Sequence, residues 1–139
     1  MVGVEANQRI GRSHIHCFAC GCENEDGLGL VFERTGDQRV RAACLLDQRY
    51  EGYPGVVQGG IVATILDCAM TNCLFADGVE AMTVRLNVQY SLPTRIGAPF
   101  AAEARLIRRR GRMYELEASL IQQGHLTASA SGVFLVPKN

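Results

Sequence analysis

This sequence has no net charge, no tryptophan and no long apolar run, and these absences narrow what the chain can do. Fourteen Lys and Arg balance fourteen Asp and Glu, so no global field recruits nucleic acid or an anionic membrane, and any basic site must be local. No apolar stretch approaches the length of about 20 residues that spans a bilayer. The first residues, Met1-Val2-Gly3-Val4-Glu5-Ala6-Asn7, lack the basic-then-apolar plan of a signal peptide. The expectation is a cytoplasmic protein with neither nucleic acid nor membrane as partner. Internal repeats, linkers and low-complexity segments are also absent. Histidine is scarce: only His14, His16 and His125 occur.

Within 139 residues, 47% are hydrophobic and 20% charged, enough for one domain with a real core. Six cysteines are expected to be reduced in a cytoplasmic setting, with Cys44, Cys68 and Cys73 as small core residues in apolar periodic stretches. After an N-terminal arm over residues 1–27, a single domain is expected over 28–139. Leu28 to Arg34 and Gln38 to Leu45 flank Thr35-Gly36-Asp37 as a hairpin. A helix follows from about Gly59 to Ala76, closed by Asp77-Gly78. Ala81 to Ser91 alternates, with Val84, Leu86, Val88 and Tyr90 against Thr83, Arg85, Asn87 and Gln89. Phe100 to Arg109 and Arg112 to Gln122 flank Arg110-Gly111, and His125 to Val136 follows Gln123-Gly124. The predicted class is α+β: one long central helix wrapped by a curved antiparallel sheet of five to six strands.

The most informative run is Gly52-Tyr53-Pro54-Gly55-Val56-Val57-Gln58-Gly59-Gly60, leading into a helix that carries Asp67 two turns inside. Gly59 and Gly60 present bare backbone at a helix N-terminus, where unpaired N–H groups and the helix dipole can hold a developing oxyanion. On a helical wheel Thr64, Asp67 and Thr71 form a narrow polar stripe beside a broad apolar arc. An ordinary solvated or capping carboxylate is the alternative for Asp67, yet an idle charge on so apolar a helix is costly. For Gly59-Gly60, a tight loop-to-helix turn is required by either reading.

This order of elements, with Gly55-Val56-Val57-Gln58-Gly59-Gly60, Asp67 and the strand Thr83 to Pro93, resembles the hotdog-fold acyl-CoA thioesterases, in particular the phenylacetate-pathway type. The resemblance covers most of the chain from about Cys17. The family's motif is His-Gly-Gly followed by an acidic residue nine positions after the His, the spacing of Gln58 to Asp67 here. It implies hydrolysis of an acyl-CoA to a carboxylic acid and coenzyme A, in a site built across a dimer interface. Homodimer is the minimum assembly, and a homotetramer is its extension. No cofactor or metal is implied, coenzyme A being part of the substrate. Gly59 and Gly60 would hold the oxyanion, Asp67 would be base or nucleophile, and Thr83 would stand near the attacking water. Arg109, Arg110 and Arg112 are candidates for coenzyme A phosphates, with Asn87 a further substrate-binding candidate. A solvated turn is the equal alternative for the arginines.

Gln58 departs from the pattern, because an amide can donate and accept hydrogen bonds but cannot shuttle a proton. A non-catalytic protein that binds acyl-CoA or an acyl carrier is therefore a second reading. A hotdog dehydratase or hydratase is third, since no His lies near Gly59-Gly60 in sequence. His14-Ile15-His16-Cys17-Phe18-Ala19-Cys20-Gly21-Cys22 has soft donors at C-x-x-C spacing but no second distant pair. It reads as a packed arm, with metal binding or redox control as alternatives. The acyl group is not readable, with Tyr53, Met70, Phe75 and Met82 as plausible pocket walls.

Overall fold

Nine side chains of one helix, α1 (Gly59–Phe75), are buried, among them Val62, Ile65, Leu66, Met70 and Leu74. A helix so apolar on most sides must be enclosed, and here a six-stranded antiparallel sheet curls around it. The structure, a computed structural model, describes residues 14–138; residues 1–13 of the expected arm lie outside that range. The strands are β1 (Glu33–Gly36), β2 (Arg39–Cys44), β3 (Met82–Tyr90), β4 (Phe100–Arg110), β5 (Met113–Gln122) and β6 (His125–Leu135). Their order across the sheet is β1-β2-β4-β5-β6-β3. The strand that follows the helix thus occupies an edge, beside the last strand of the chain.

Small residues line the helix-facing side of the sheet. Ala102, Ala104, Ala118, Ala128 and Ala130 are all buried there, so the helix backbone approaches closely while Leu116, Leu120 and Phe134 fill the remaining space. Gly132 marks the tightest point: a Cβ there would lie 2.8 Å from Phe134 and 2.9 Å from the sulfur of Met70. Asp77-Gly78 closes the helix as expected. Gly78 takes φ 75°, Val79 N–H returns to the Leu74 carbonyl at 3.0 Å, and Arg34 of β1 bonds the Ala76 carbonyl and the Asp77 carboxylate.

The first strand is shorter than the expected Leu28 to Arg34. Leu28 and Leu30 donate their N–H groups to Phe18 and Ala19, so the arm, rather than a neighbouring strand, takes up this backbone. A second difference lies in β3. Strict alternation sets Thr83 on the face of Asn87, yet the register slips between Thr83 and Arg85, so that Thr83 pairs Phe134 while Arg85 pairs Val133. Such a bulge re-aims one side chain. Thr83 therefore turns to the helix side with Leu86, Val88 and Tyr90, and Asn87 stays on the outer face opposite Ser131.

A methyl at position 132 should strain a core with no free space. Gly132→Ala is expected to cost about 1–3 kcal/mol, read as a lower urea midpoint at unchanged slope.

Candidate active site

The loop before α1 is fixed by its own hydrogen bonds. Gly52 N–H donates to the Val56 carbonyl at 2.9 Å, Val57 N–H to Thr94 at 2.8 Å and Gln58 N–H to Tyr50 at 2.9 Å. The Glu51 carboxylate accepts from Gly55 N–H at 2.9 Å, where the backbone takes φ 79°. Gln58 then caps the helix: its Oε1 accepts from Ile61 N–H at 3.0 Å. A Cβ at position 60 would sit 2.8 Å from that oxygen, so Gly60 is needed for the cap itself. Among the described residues, the N–H groups of Gly59 and Gly60 meet no acceptor. Together with the dipole of α1, two outward donors suit an anionic oxygen.

Tyr90 was not singled out by sequence. Its hydroxyl donates to the Gly59 carbonyl at 2.6 Å, and that carbonyl shares a peptide unit with Gly60 N–H. The bond therefore fixes the direction of one of the two donors. Alternation had set Tyr90 on the apolar face of its strand, but no local signal connects it to a glycine 31 positions away.

Asp67 is half-buried on the polar stripe of α1, with Thr64 and Thr71 one turn away on either side. Both threonines turn their hydroxyls back to helix carbonyls, of Gly60 and Asp67 respectively, so neither competes for the carboxylate. The Thr83 hydroxyl does reach it, donating to Asp67 Oδ1 at 2.7 Å. One carboxylate oxygen is thereby held and the other is left to accept a proton. Asp67 and Thr83 are thus brought together, while Gly59 and Gly60 of the same chain stand about 12 Å away along the helix at 1.5 Å per residue.

Beside Gly59 lies an open groove of about 740 Å³, lined by Tyr53, Val56, Val62, Tyr90, Leu92 and Pro93 among others. Of the four wall residues suggested by sequence, Tyr53 lines it; Met70 is buried in the core, and Met82 is exposed at the start of β3. Phe75 instead packs edge-on against His14.

The three arginines part ways. Arg109 faces the helix side, with its guanidinium 5.4 Å from the Tyr114 ring, in the cross-strand row Arg109, Tyr114, Phe134, Thr83. That row puts Arg109 three strand spacings, about 14 Å, from Thr83. Arg112 bonds the Val136 carbonyl at 2.8 Å, and Arg110 pairs Met113 at the hairpin end. Asn87 lines the outer face with Gln89, Ser129 and Ser131, away from Asp67.

The thiols also divide. Cys44, Cys68 and Cys73 are buried as expected. Cys44 and Cys73 are pushed up to about 11, in each case chiefly by burial. Cys20 is pulled down to about 5, chiefly by its hydrogen bond with Cys68, and the same bond holds the Cys68 thiol well above its ordinary value.

Removing the cap isolates its contribution. Gln58→Ala is expected to cost about 0.5–2 kcal/mol, measured as a lower thermal midpoint.

Residues 54–129 match the sequence model of the thioesterase superfamily, from the glycine-rich loop through α1 and into β6. Acyl-coenzyme A thioesterase THEM4 of Bos taurus is 29% identical over 117 residues, which are 80% of this chain and 48% of that protein. The chain spans about half the length of that curated relative. A solved thioesterase superfamily protein superposes with TM-score 0.81 at 29% identity, covering 86% of this chain and 60% of that one. A phenylacetic acid degradation-related protein from Ralstonia eutropha JMP134 does so with TM-score 0.72 at 26% identity, covering 78% and 86%. The family match extends over more than half of the chain, and the superpositions agree with it on the hotdog fold: the chain belongs to the thioesterase superfamily.

Proposed function

We propose that this chain hydrolyses acyl-coenzyme A thioesters, as a homodimer in which each site draws on both copies. The observation that carries the reading is the 2.7 Å hydrogen bond from Thr83 to Asp67 on a helix that begins with two unpartnered glycine N–H groups. A base and an oxyanion holder must each come within about 3 Å of one thioester. Asp67 and Gly59 of one chain are too far apart for that. A second copy related by a two-fold axis removes the conflict, since it can bring its own Gly59 and Gly60 to the first copy's Asp67.

The edge strand supports such a dimer. β3 is nine residues long, contains no Pro or Lys, and exposes Met82, Val84, Leu86 and Tyr90. Long apolar edges are usually covered by pairing. Pairing of β3 with its own copy is isologous and closes the assembly.

In the reaction, Asp67 accepts a proton from water as the water oxygen attacks the thioester carbonyl. The carbonyl oxygen becomes negative and is held by the glycine N–H groups. The C–S bond then breaks, the coenzyme A sulfur takes the proton, and the carboxylic acid departs. Thr83 orients the carboxylate, and Tyr90 orients the Gly60 donor. The groove beside Gly59 suits the apolar part of the substrate, and Arg109, on the same sheet row as Thr83, is the best oriented of the three arginines for a phosphate. Its six free cysteines suit a reducing compartment such as the cytoplasm.

The test is a panel of short, medium, long and aryl acyl-CoAs, with free coenzyme A measured by chromatography. Asp67→Asn is expected to lose about 10²–10⁴-fold in kcat, and Thr83→Val a smaller part of that. Saturable binding without hydrolysis would overturn the enzymatic reading in favour of an acyl-CoA-binding protein, which Gln58, engaged in capping, would then explain. A single turnover in ¹⁸O-water separates the roles of Asp67: label confined to the product supports a base, and label in the protein carboxylate requires a nucleophile.

The dimer has its own test. Leu86→Glu is expected to halve the mass seen by light scattering and to abolish turnover together with it; a monomeric wild type that retains activity would exclude the composite site.

A further inference from the structure

The segment before β1 holds a cluster that thioester hydrolysis does not use. His14, Cys17 and Cys20 each bring one donor atom within 4.8 Å of the others, all half-buried. A tight backbone knuckle makes them converge. Cys17 N–H donates to the His14 carbonyl at 3.0 Å, and Gly21 N–H donates to the Cys17 carbonyl at 2.7 Å. A Cβ on Gly21 would fall 2.4 Å from the Cys17 nitrogen, so only glycine can follow the second thiol.

A fourth soft donor arrives from the central helix. The Cys68 thiol lies beside that of Cys20, and Asn72, one turn further on, donates its Nδ2 to Cys68 Sγ at 3.3 Å. The second distant donor that C-x-x-C lacked in sequence is thus supplied by tertiary contact.

Two polar atoms at this place are buried without a hydrogen-bond partner, His14 Nδ1 and Asn72 Oδ1. Buried polar atoms without partners are uncommon and each needs an explanation, an unseen ion among them. The His14 ring is held in place, edge-on to Phe75 with centroids 4.7 Å apart. Cys44 and Cys73, by contrast, are single thiols in the apolar core.

We propose that His14, Cys17, Cys20 and Cys68 form a tetrahedral Zn²⁺ site that fastens the N-terminal segment to α1 at the residue after Asp67. Three thiolates and one imidazole are a usual donor set for structural zinc. Zn–S bonds of about 2.3 Å and Zn–N bonds of about 2.0 Å put donor atoms about 3.5–3.8 Å apart, so His14, Cys17 and Cys20 need to close by only about 1 Å, and Cys68, beside Cys20, turns in to complete the set. On binding, each thiol releases its proton to solvent, and no electrons are transferred.

The experiment uses the full chain, purified without chelator and under reducing conditions, with metal measured by mass spectrometry of the elements. About one zinc per chain is expected. Cobalt added to the chelator-treated protein should give thiolate charge-transfer bands and the intense visible bands of a tetrahedral ion. Cys20→Ser should lower zinc content at least about tenfold, while Cys22→Ser, at an exposed neighbouring thiol, should leave it unchanged. Equal zinc in wild type and Cys20→Ser would mark adventitious binding and overturn the site. So would a folded wild type, judged by circular dichroism, that takes up neither zinc nor cobalt, or a Cys20–Cys68 disulfide in the peptide map of the natively purified chain. Should Cys20→Ser fail to fold, the cobalt spectrum of the wild type decides.

Discussion

Enclosure of α1 is the constraint on which the rest of the structure depends. Ile65, Leu66, Ala69 and Met70 have no measurable exposure, and burying a side chain of the larger kind stabilises by about 1.5–3 kcal/mol relative to leaving it in water. No single flat layer can cover a helix on most sides, so the sheet must curl. Its inner face is rich in alanine because larger side chains would hold the helix too far off to be enclosed. Gly132 is the limiting case, with Met70 and Phe134 already occupying the volume of its missing methyl.

Enclosure leaves one stripe of the helix free, and Thr64, Asp67 and Thr71 lie there. Asp67 is only half-buried there and accepts a hydrogen bond from Thr83. The same enclosure pins the helix N-terminus, where the 51–58 loop is tied to Tyr50 and Thr94 and the Gly59 carbonyl to Tyr90. Helix geometry then separates the carboxylate from the glycine donors by about 12 Å. The open apolar edge of β3 runs alongside that gap, so one chain carries the parts of a site in an arrangement that a second copy can complete.

Gln58 shows how a substituted position can retain part of a motif. Its side-chain oxygen caps the helix through Ile61 N–H, a task that needs only an acceptor. Proton transfer at that position would need an imidazole. The cap therefore holds the shape of the loop and the direction of the glycine donors, and the hydrolysis we propose would rest on Asp67 and backbone groups.

Much of this was legible in the amino-acid order. The apolar periodicity over residues 61–74 required an enclosed helix, Asp77-Gly78 stopped it, and Gln123-Gly124, both at positive φ, turned β5 into β6. Proximity in sequence was enough for each, because helix periods and tight turns are local. Thr83 could be named from its resemblance to a family, but alternation set it on the wrong face. Only the pairing of β3 with β6 produces the bulge that turns it toward Asp67, and Asn87 consequently faces away. Tyr90 on Gly59, Cys68 on Cys20 and the early loss of Leu28 to Phe32 from the first strand depend likewise on contacts between distant segments. Periodicity determined which elements form and which faces are apolar; register and packing, which no local pattern encodes, decided which side chains meet.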